Sequence, residues 1–206
     1  MRLLAIDTTA AVATAALFRD GELIAEKEAD AGRKHAETLL PMIDMLLEEN
    51  GVTISEIDLF AVDIGPGSFT GVRIGVSLVN ALAFATGKLI VPINSLKTLA
   101  LSAEDTDRPV AAMIDARNGN AYAALYQAKK TLIEPCAVEI EAFLRKLPRD
   151  TIFVGDTQAI KKTYPRARLV GMVALSCQES AKAEADPLYL RPSQAERTKK
   201  ESSKEA

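Results

Sequence analysis

The run Arg2-Leu3-Leu4-Ala5-Ile6, then Val12 to Phe18, the turn Arg19-Asp20-Gly21-Glu22, and Leu23 to Glu28 decide the fold. Each apolar run is too short for a helix and is bounded by polar residues, which is the signature of a strand. Asp-Gly between two such runs signals a tight hairpin, because both central residues of that turn need positive φ. A helical stretch follows from about Lys34 to Asn50, with Gly51 closing it as a C′ residue. Pro41 has no N–H for the Glu37 carbonyl, so this helix either starts near Thr38 or kinks. Leu59 to Ile64 is the next strand, then a long apolar helix to about Thr86, a strand Lys88 to Ile93 and a short helix Leu96 to Leu101 capped by Asn94 or Ser95.

The polar stretch Ser102 to Pro109 reads as a linker. A second series then begins: strand Val110 to Ile114, the corner Asp115-Ala116-Arg117-Asn118-Gly119-Asn120, strand Ala121 to Tyr126, and a short strand Ile152 to Val154. Helices are expected at about Ile140 to Lys146, Gln158 to Thr163 and Met172 to Ala183. Three meander strands followed by helix–strand alternation imply an α/β fold with mixed sheets and flanking helices. Two such units in tandem is the layout of the actin, sugar-kinase and Hsp70-ATPase (ASKHA) group. The expected division is residues 1–101, a reduced second unit at 102–193, and a disordered polar tail at 194–206.

Composition narrows the function. The chain has 206 residues, 48% hydrophobic and 26% charged, enough for a sizeable core without staples. With 25 basic against 28 acidic residues, the net charge of −3 argues against a chain that grips nucleic acid by itself. Two separated cysteines, Cys136 and Cys177, fit a reducing cytoplasm, and no signal peptide or membrane span is expected. His35 is the single histidine, so paired-histidine metal sites are excluded and no metal site is expected. A Ser-His-Asp triad would have to combine His35 with a serine such as Ser68.

Gly65-Pro66-Gly67-Ser68-Phe69-Thr70-Gly71 follows a strand and opens a helix, where backbone N–H groups can hold an anion. Its spacing matches neither the dinucleotide fingerprint nor a P-loop, and a tight strand-to-helix corner explains it equally. Asp7-Thr8-Thr9 and Asp115 end the first strand of each unit and mark a residual ligand cleft; strand-end capping is the simpler reading. On the first long helix, Ala36, Leu39, Leu40, Ile43, Leu46 and Leu47 form the core face, while His35, Thr38, Met42 and Met45 form a second stripe. On the second, Val72, Val76, Val79 and Ala83 oppose Ile74, Leu78, Ala81 and Ala85. Helices apolar on two sides need cover on both, from the domain itself or from another chain.

These residues resemble the TsaB (YeaZ) family. The resemblance rests on Leu4-Ala5-Ile6-Asp7-Thr8-Thr9, on His35-Ala36-Glu37 with Leu39-Leu40-Pro41, and most specifically on Gly65 to Gly71 continuing through Val72-Arg73-Ile74-Gly75. Asp115-Ala116-Arg117 with Tyr122, and Ala185-Asp186-Pro187-Leu188-Tyr189-Leu190-Arg191, extend it to residue 191. The resemblance implies a non-catalytic subunit of the machinery that places threonylcarbamoyl on the adenosine next to the tRNA anticodon. It implies pairing with a catalytic paralogue, TsaD, through the second stripes of the two helices, with a homodimer open to the chain alone. It also implies a TsaE-type ATPase partner, ATP and metal on the partner subunits, tRNA contact only through the complex, and no cofactor of its own. Val79-Asn80-Ala81 departs from the family's usual Ala-Lys-Gly, and the second half is short for the family. The competing readings are a stand-alone kinase or ATPase of the same fold, and a peptidase.

Overall fold

In the computed structural model, residues 1–30, 35–103, 106–128, 130–157 and 162–191 are described below. Strands β1 (Arg2–Asp7), β2 (Val12–Arg19) and β3 (Glu22–Asp30) form an antiparallel meander. Its first turn holds Asp20 at φ 51° and Gly21 at φ 91°, the two left-handed residues that Asp-Gly was expected to supply. Helix α1 (His35–Glu49) leads to β4 (Leu59–Asp63), which lies parallel to β1; helix α2 (Phe69–Thr86) leads to β5 (Leu89–Ile93), parallel to β4. The sheet order is β3-β2-β1-β4-β5. Pro41 sits inside α1, so the helix starts before it. Gly51 follows with φ 62°, its N–H bonded to the Glu48 carbonyl, which gives the chain its turn out of the helix.

Helix α3 (Ser95–Leu101) precedes the second series: β6 (Val110–Asp115), β7 (Asn120–Gln127), β8 (Lys130–Glu139), α4 (Ile140–Leu144), β9 (Ile152–Gly155) and α5 (Ala167–Leu175). Its order, β8-β7-β6-β9, with β9 parallel to β6, repeats the first four strands of the first sheet. The chain is thus α/β, with two mixed sheets.

Three elements differ from the sequence expectation. Strand β8 was not anticipated, because Pro135 interrupts it and most of its residues are at least partly exposed. It is an edge strand, and its register against β7 shifts between Ala123 and Leu125, a place that accommodates proline. The last helix begins at Ala167 rather than Met172 and ends at Leu175, with a 3₁₀ turn at Gln178–Ser180. Its early start depends on Thr14 of β2, whose Oγ1 accepts the Ala167 N–H at 2.8 Å. The expected helix Gln158 to Thr163 falls mostly on 158–161, outside the described residues, as does the expected tail from 194; Thr163 is in a non-helical connection.

The packing crosses between the halves. One face of the first sheet meets α1 and α2 through Leu4, Ile6, Leu39, Ile43, Leu46, Val72, Val76 and Val79. Its other face meets α5, where Phe18, Val91 and Ile93 pack on Ala167, Val170 and Ala174. Helix α3 covers one face of the second sheet through Leu96 and Leu99, and Phe143 of α4 covers the other. Helix α2 is long and apolar enough by length and composition to cross a membrane, although no such stretch was expected; its inner face is committed to this core.

Candidate functional site

The first strand-end turn is closed. Asp7 and Asp63, the last residues of parallel neighbours β1 and β4, are fully buried, as is Thr8. Asp7 Oδ1 accepts from Thr9 N at 2.9 Å and Thr9 Oγ1 at 2.7 Å. Asp63 Oδ1 accepts from Gly65 N at 2.9 Å and from the Ser95 hydroxyl. Burial, and secondarily the Asp7 carboxylate, push the Asp63 carboxyl well above the usual carboxylate range. Above them lies the glycine loop. Ser68 N donates to Thr9 O at 2.8 Å, and Thr8 Oγ1 donates to Gly71 O at 2.7 Å. A Cβ on Gly71 would stand 2.0 Å from Thr8 O, and one on Gly75 2.3 Å from Thr8 Oγ1. The glycines therefore let α2 lie directly on the Thr8-Thr9 backbone. Ser68 is the N-cap of α2, its Oγ accepting from Gly71 N at 3.2 Å. The N–H groups of Gly65, Ser68 and Gly71 are all consumed within the protein, so this is a strand-to-helix corner that seals the first turn.

The second turn is open. Asp115 ends β6 and is exposed; its N–H donates to Asp156 Oδ1 at 2.8 Å, and its Oδ1 accepts from Arg117 N at 2.8 Å. Arg117 and Asn118 both have positive φ, at 65° and 55°. A cleft of about 790 Å³ runs between the two turns, lined by Thr9, Ser68, Asp115, Arg117, Tyr164 and Arg191, among others. Of the four residues expected in a ligand cleft, Thr9 and Asp115 line it, while Asp7 and Thr8 are sealed beneath the loop. Nη1 of Arg191 is buried without a hydrogen-bond partner. Among the described residues, no three metal-ligating side chains come together.

The second candidate surface is the outer side of α1 and α2. Thr38, Ile74 and Leu78 are half-buried, Ala81 and Ala85 are exposed, and Met45 is 52% exposed. Met42 does not belong with them. It is 6% exposed and packs in the core, because α1 turns it inward beside Ile43 and Leu46. The side chain of His35 lies outside the described part of the structure. Two residues not assigned to this face belong on it: Leu40 at 42% exposure and Phe84 at 89%. Phe84 has a signal in the sequence: it lies in line with Arg73, Ser77 and Asn80 at helical spacing, an aromatic residue in an otherwise polar strip. Between the helices runs a groove of about 390 Å³ lined by Ala36, Leu39, Leu40, Arg73, Ile74, Ser77 and Leu78.

A C-terminal strap borders this face. Lys182 bridges to Ile90, Ala185 exchanges two hydrogen bonds with the Asn80 side chain, and Leu188 N donates to Ile64 O at 2.7 Å. Asn80, the departure within α2, thus anchors the strap. Arg73 stacks at 4.0 Å over the Phe69 ring, and its Nε donates to Tyr189 Oη at 2.8 Å. The 185–191 motif and the glycine-loop motif are therefore one structural unit.

Fold and site together define a two-sheet α/β protein in which the first strand-end turn is closed and an apolar two-helix face is uncovered. The family model for TsaD, tRNA N6-adenosine threonylcarbamoyltransferase, matches residues 27–198. The tRNA threonylcarbamoyladenosine biosynthesis protein TsaB of Bacillus subtilis is 32% identical over 169 residues, covering 79% of this chain and 74% of the relative. The TsaB protein of Escherichia coli is 39% identical over 129 residues, covering 62% of this chain and 55% of the relative. Among solved structures, YeaZ from Pseudomonas aeruginosa superposes with a TM-score of 0.75 at 29% identity, covering 92% of this chain and 99% of that one. The chain belongs to the TsaB (YeaZ) family.

Proposed function

We propose that this chain is a cytoplasmic, non-catalytic subunit of tRNA threonylcarbamoyladenosine synthesis, and that it binds and activates a TsaD-type catalytic paralogue through the outer side of α1 and α2. The relatives' names place those proteins in this biosynthesis. The observation that carries the partner reading is the uncovered apolar face: Leu40, Met45 and Phe84 are exposed beside a groove walled by Ile74 and Leu78. Exposed Ala81 and Ala85 allow close helix approach, so two related helix pairs can form a four-helix contact. A closed first turn supports a scaffold rather than a phosphate-transferring role, since its carboxylates cannot reach a ligand. ATP and metal then act on the partner subunits, a TsaE-type ATPase included, and tRNA is met only through the complex. In this reading the second unit, residues 102–193, is a reduced copy of the first.

The test is co-expression with the TsaD-type subunit of the same genome, followed by size measurement of wild type and Leu78→Asp. A complex that forms with wild type and is lost with Leu78→Asp, both folded by circular dichroism, supports the reading. Unchanged co-purification of the variant refutes it. The rival nucleotide-binding reading draws on the open cleft beside Asp115; calorimetric titration of the isolated chain with ATP and Mg²⁺ separates the two.

A further inference from the structure

We propose that the cleft between the two strand-end turns binds a small organic acid, its single carboxylate held by Arg191 of the strap and Arg117 of the second turn. Neither arginine lines the groove on α1 and α2, so this site stands or falls independently of that surface. Arg191 lines the cleft, and its Nη1 is buried with no hydrogen-bond partner among the described residues. A charged N–H group shut off from water and from any acceptor is costly, and a carboxylate oxygen removes that cost with a charge-assisted bond. The strap fixes where Arg191 enters. Leu188 N donates to Ile64 O at 2.7 Å, and Tyr189 Oη accepts from Arg73 Nε at 2.8 Å.

Arg117 reaches the same cleft from the second turn. It stands at φ 65°, followed by Asn118 at 55° and Gly119 at 72°. Left-handed backbone is unfavourable at a long side chain and persists only where the surroundings impose it. Here Asp115 Oδ1 takes the Arg117 N–H and Asp156 Oδ1 takes the Asp115 N–H, each at 2.8 Å. The two carboxylates thus build the turn that presents Arg117. Neither forms an ion pair with an arginine among the described residues.

Charge and lining select the ligand. Among the described residues lining the cleft, the charged ones are Arg117, Arg191, Asp115 and Asp156, two of each sign. A polyphosphate would set several negative charges against two aspartates, whereas one carboxylate matches the fork of a guanidinium. The glycine loop adds no anion cradle, since the N–H groups of Gly65, Ser68 and Gly71 are already taken. Phe69, Ile74, Tyr122 and Tyr164 offer apolar and aromatic surface to the body of the acid, and a volume of about 790 Å³ is that of a small-molecule site.

The test titrates the full ¹⁵N-labelled chain with benzoate, inorganic phosphate and Mg-ATP, followed by amide NMR. Benzoate should shift the amides of residues 116–120 and 188–191 saturably, with a Kd below about 10 mM. Arg191→Gln should weaken it roughly ten-fold or more, Arg191→Lys should restore part of the loss, and Arg117→Gln should weaken it less, being at an exposed position. If Arg191→Gln does not fold, Arg191→Lys and Arg117→Gln decide. The absence of a saturable benzoate shift overturns the proposal, as do shifts that the folded arginine variants leave unchanged. Phosphate or Mg-ATP binding more tightly than benzoate at the same amides overturns the carboxylate assignment in favour of a phosphate ligand.

Discussion

Gly71 meets the Thr8 carbonyl where any side chain would collide, and the obstacle is backbone, which cannot rotate away. Gly71→Ala should therefore destabilise the fold by about 3 kcal/mol or more, read as a lower urea midpoint with unchanged slope. Asp63 makes a different demand. Its folded-state pKa lies above the unfolded one, because burial and Asp7 disfavour its charge. The folded chain thus binds that proton more tightly. The associated stability is present below the unfolded pKa, near 4, and is lost as pH rises through the folded pKa. Asp63→Asn keeps an acceptor for Gly65 N and Ser95 Oγ and removes the charge. Relative to wild type, its stability should improve as pH rises from 4 to 9, by urea denaturation at each pH; a constant difference across that range refutes the buried, proton-holding carboxyl.

At the scale of the element, α1 separates two methionines three residues apart. Met42 faces the core and Met45 faces outward. Met42→Asp should unfold the chain, because a charge buried without a partner costs several kcal/mol. Met45→Asp should leave the circular dichroism spectrum intact and weaken partner binding. Equal behaviour of the two variants would contradict this orientation of α1. Helix α2 is held by the strap through Asn80, whose side-chain oxygen and nitrogen both bond the Ala185 backbone, at 2.9 and 3.0 Å. Asn80→Ala should cost about 1–2 kcal/mol and raise the rate of proteolysis near Ala185. A cleavage rate equal to wild type would mean that the strap is held elsewhere.

Over the whole molecule, helices alternate with the two sheets: α1 and α2 outside, α5 and α3 between the sheets, α4 on the far side. Helix α5 follows the second sheet in the chain yet packs on the first, tied to β3 by Arg166–Glu28 at 2.7 Å and Arg168–Glu26 at 3.7 Å. These exposed ion pairs add little by themselves; the buried contacts of Val170 and Ala174 hold the helix. A net charge of −3 gives the chain little counterion release on phosphates. Isolated protein should therefore bind tRNA only weakly at 150 mM salt and without preference between tRNAs, by filter binding. Tight binding at that salt would contradict a subunit that meets tRNA through its complex.

Short-range rules sufficed for much of this architecture. Alternation and length marked β1 to β7 and β9; Asp20-Gly21 set the first hairpin; the missing second histidine excluded paired-histidine metal sites before any coordinates. The glycine loop was legible as unusual, but its purpose was not. Only the approach of α2 to Thr8 and Thr9, about sixty residues earlier in the chain, shows why Gly71 and Gly75 carry no side chain. The same limit hid the start of α5, which depends on Thr14, and the inward turn of Met42, which depends on where α1 lies against the sheet. Strand β8 escaped because an edge strand with a proline lacks the apolar alternation of a buried one. Local backbone preference is written residue by residue and can be read from sequence. Which side of a helix meets the sheet, and which distant hydroxyl caps it, depends on partners brought together only when the chain has folded.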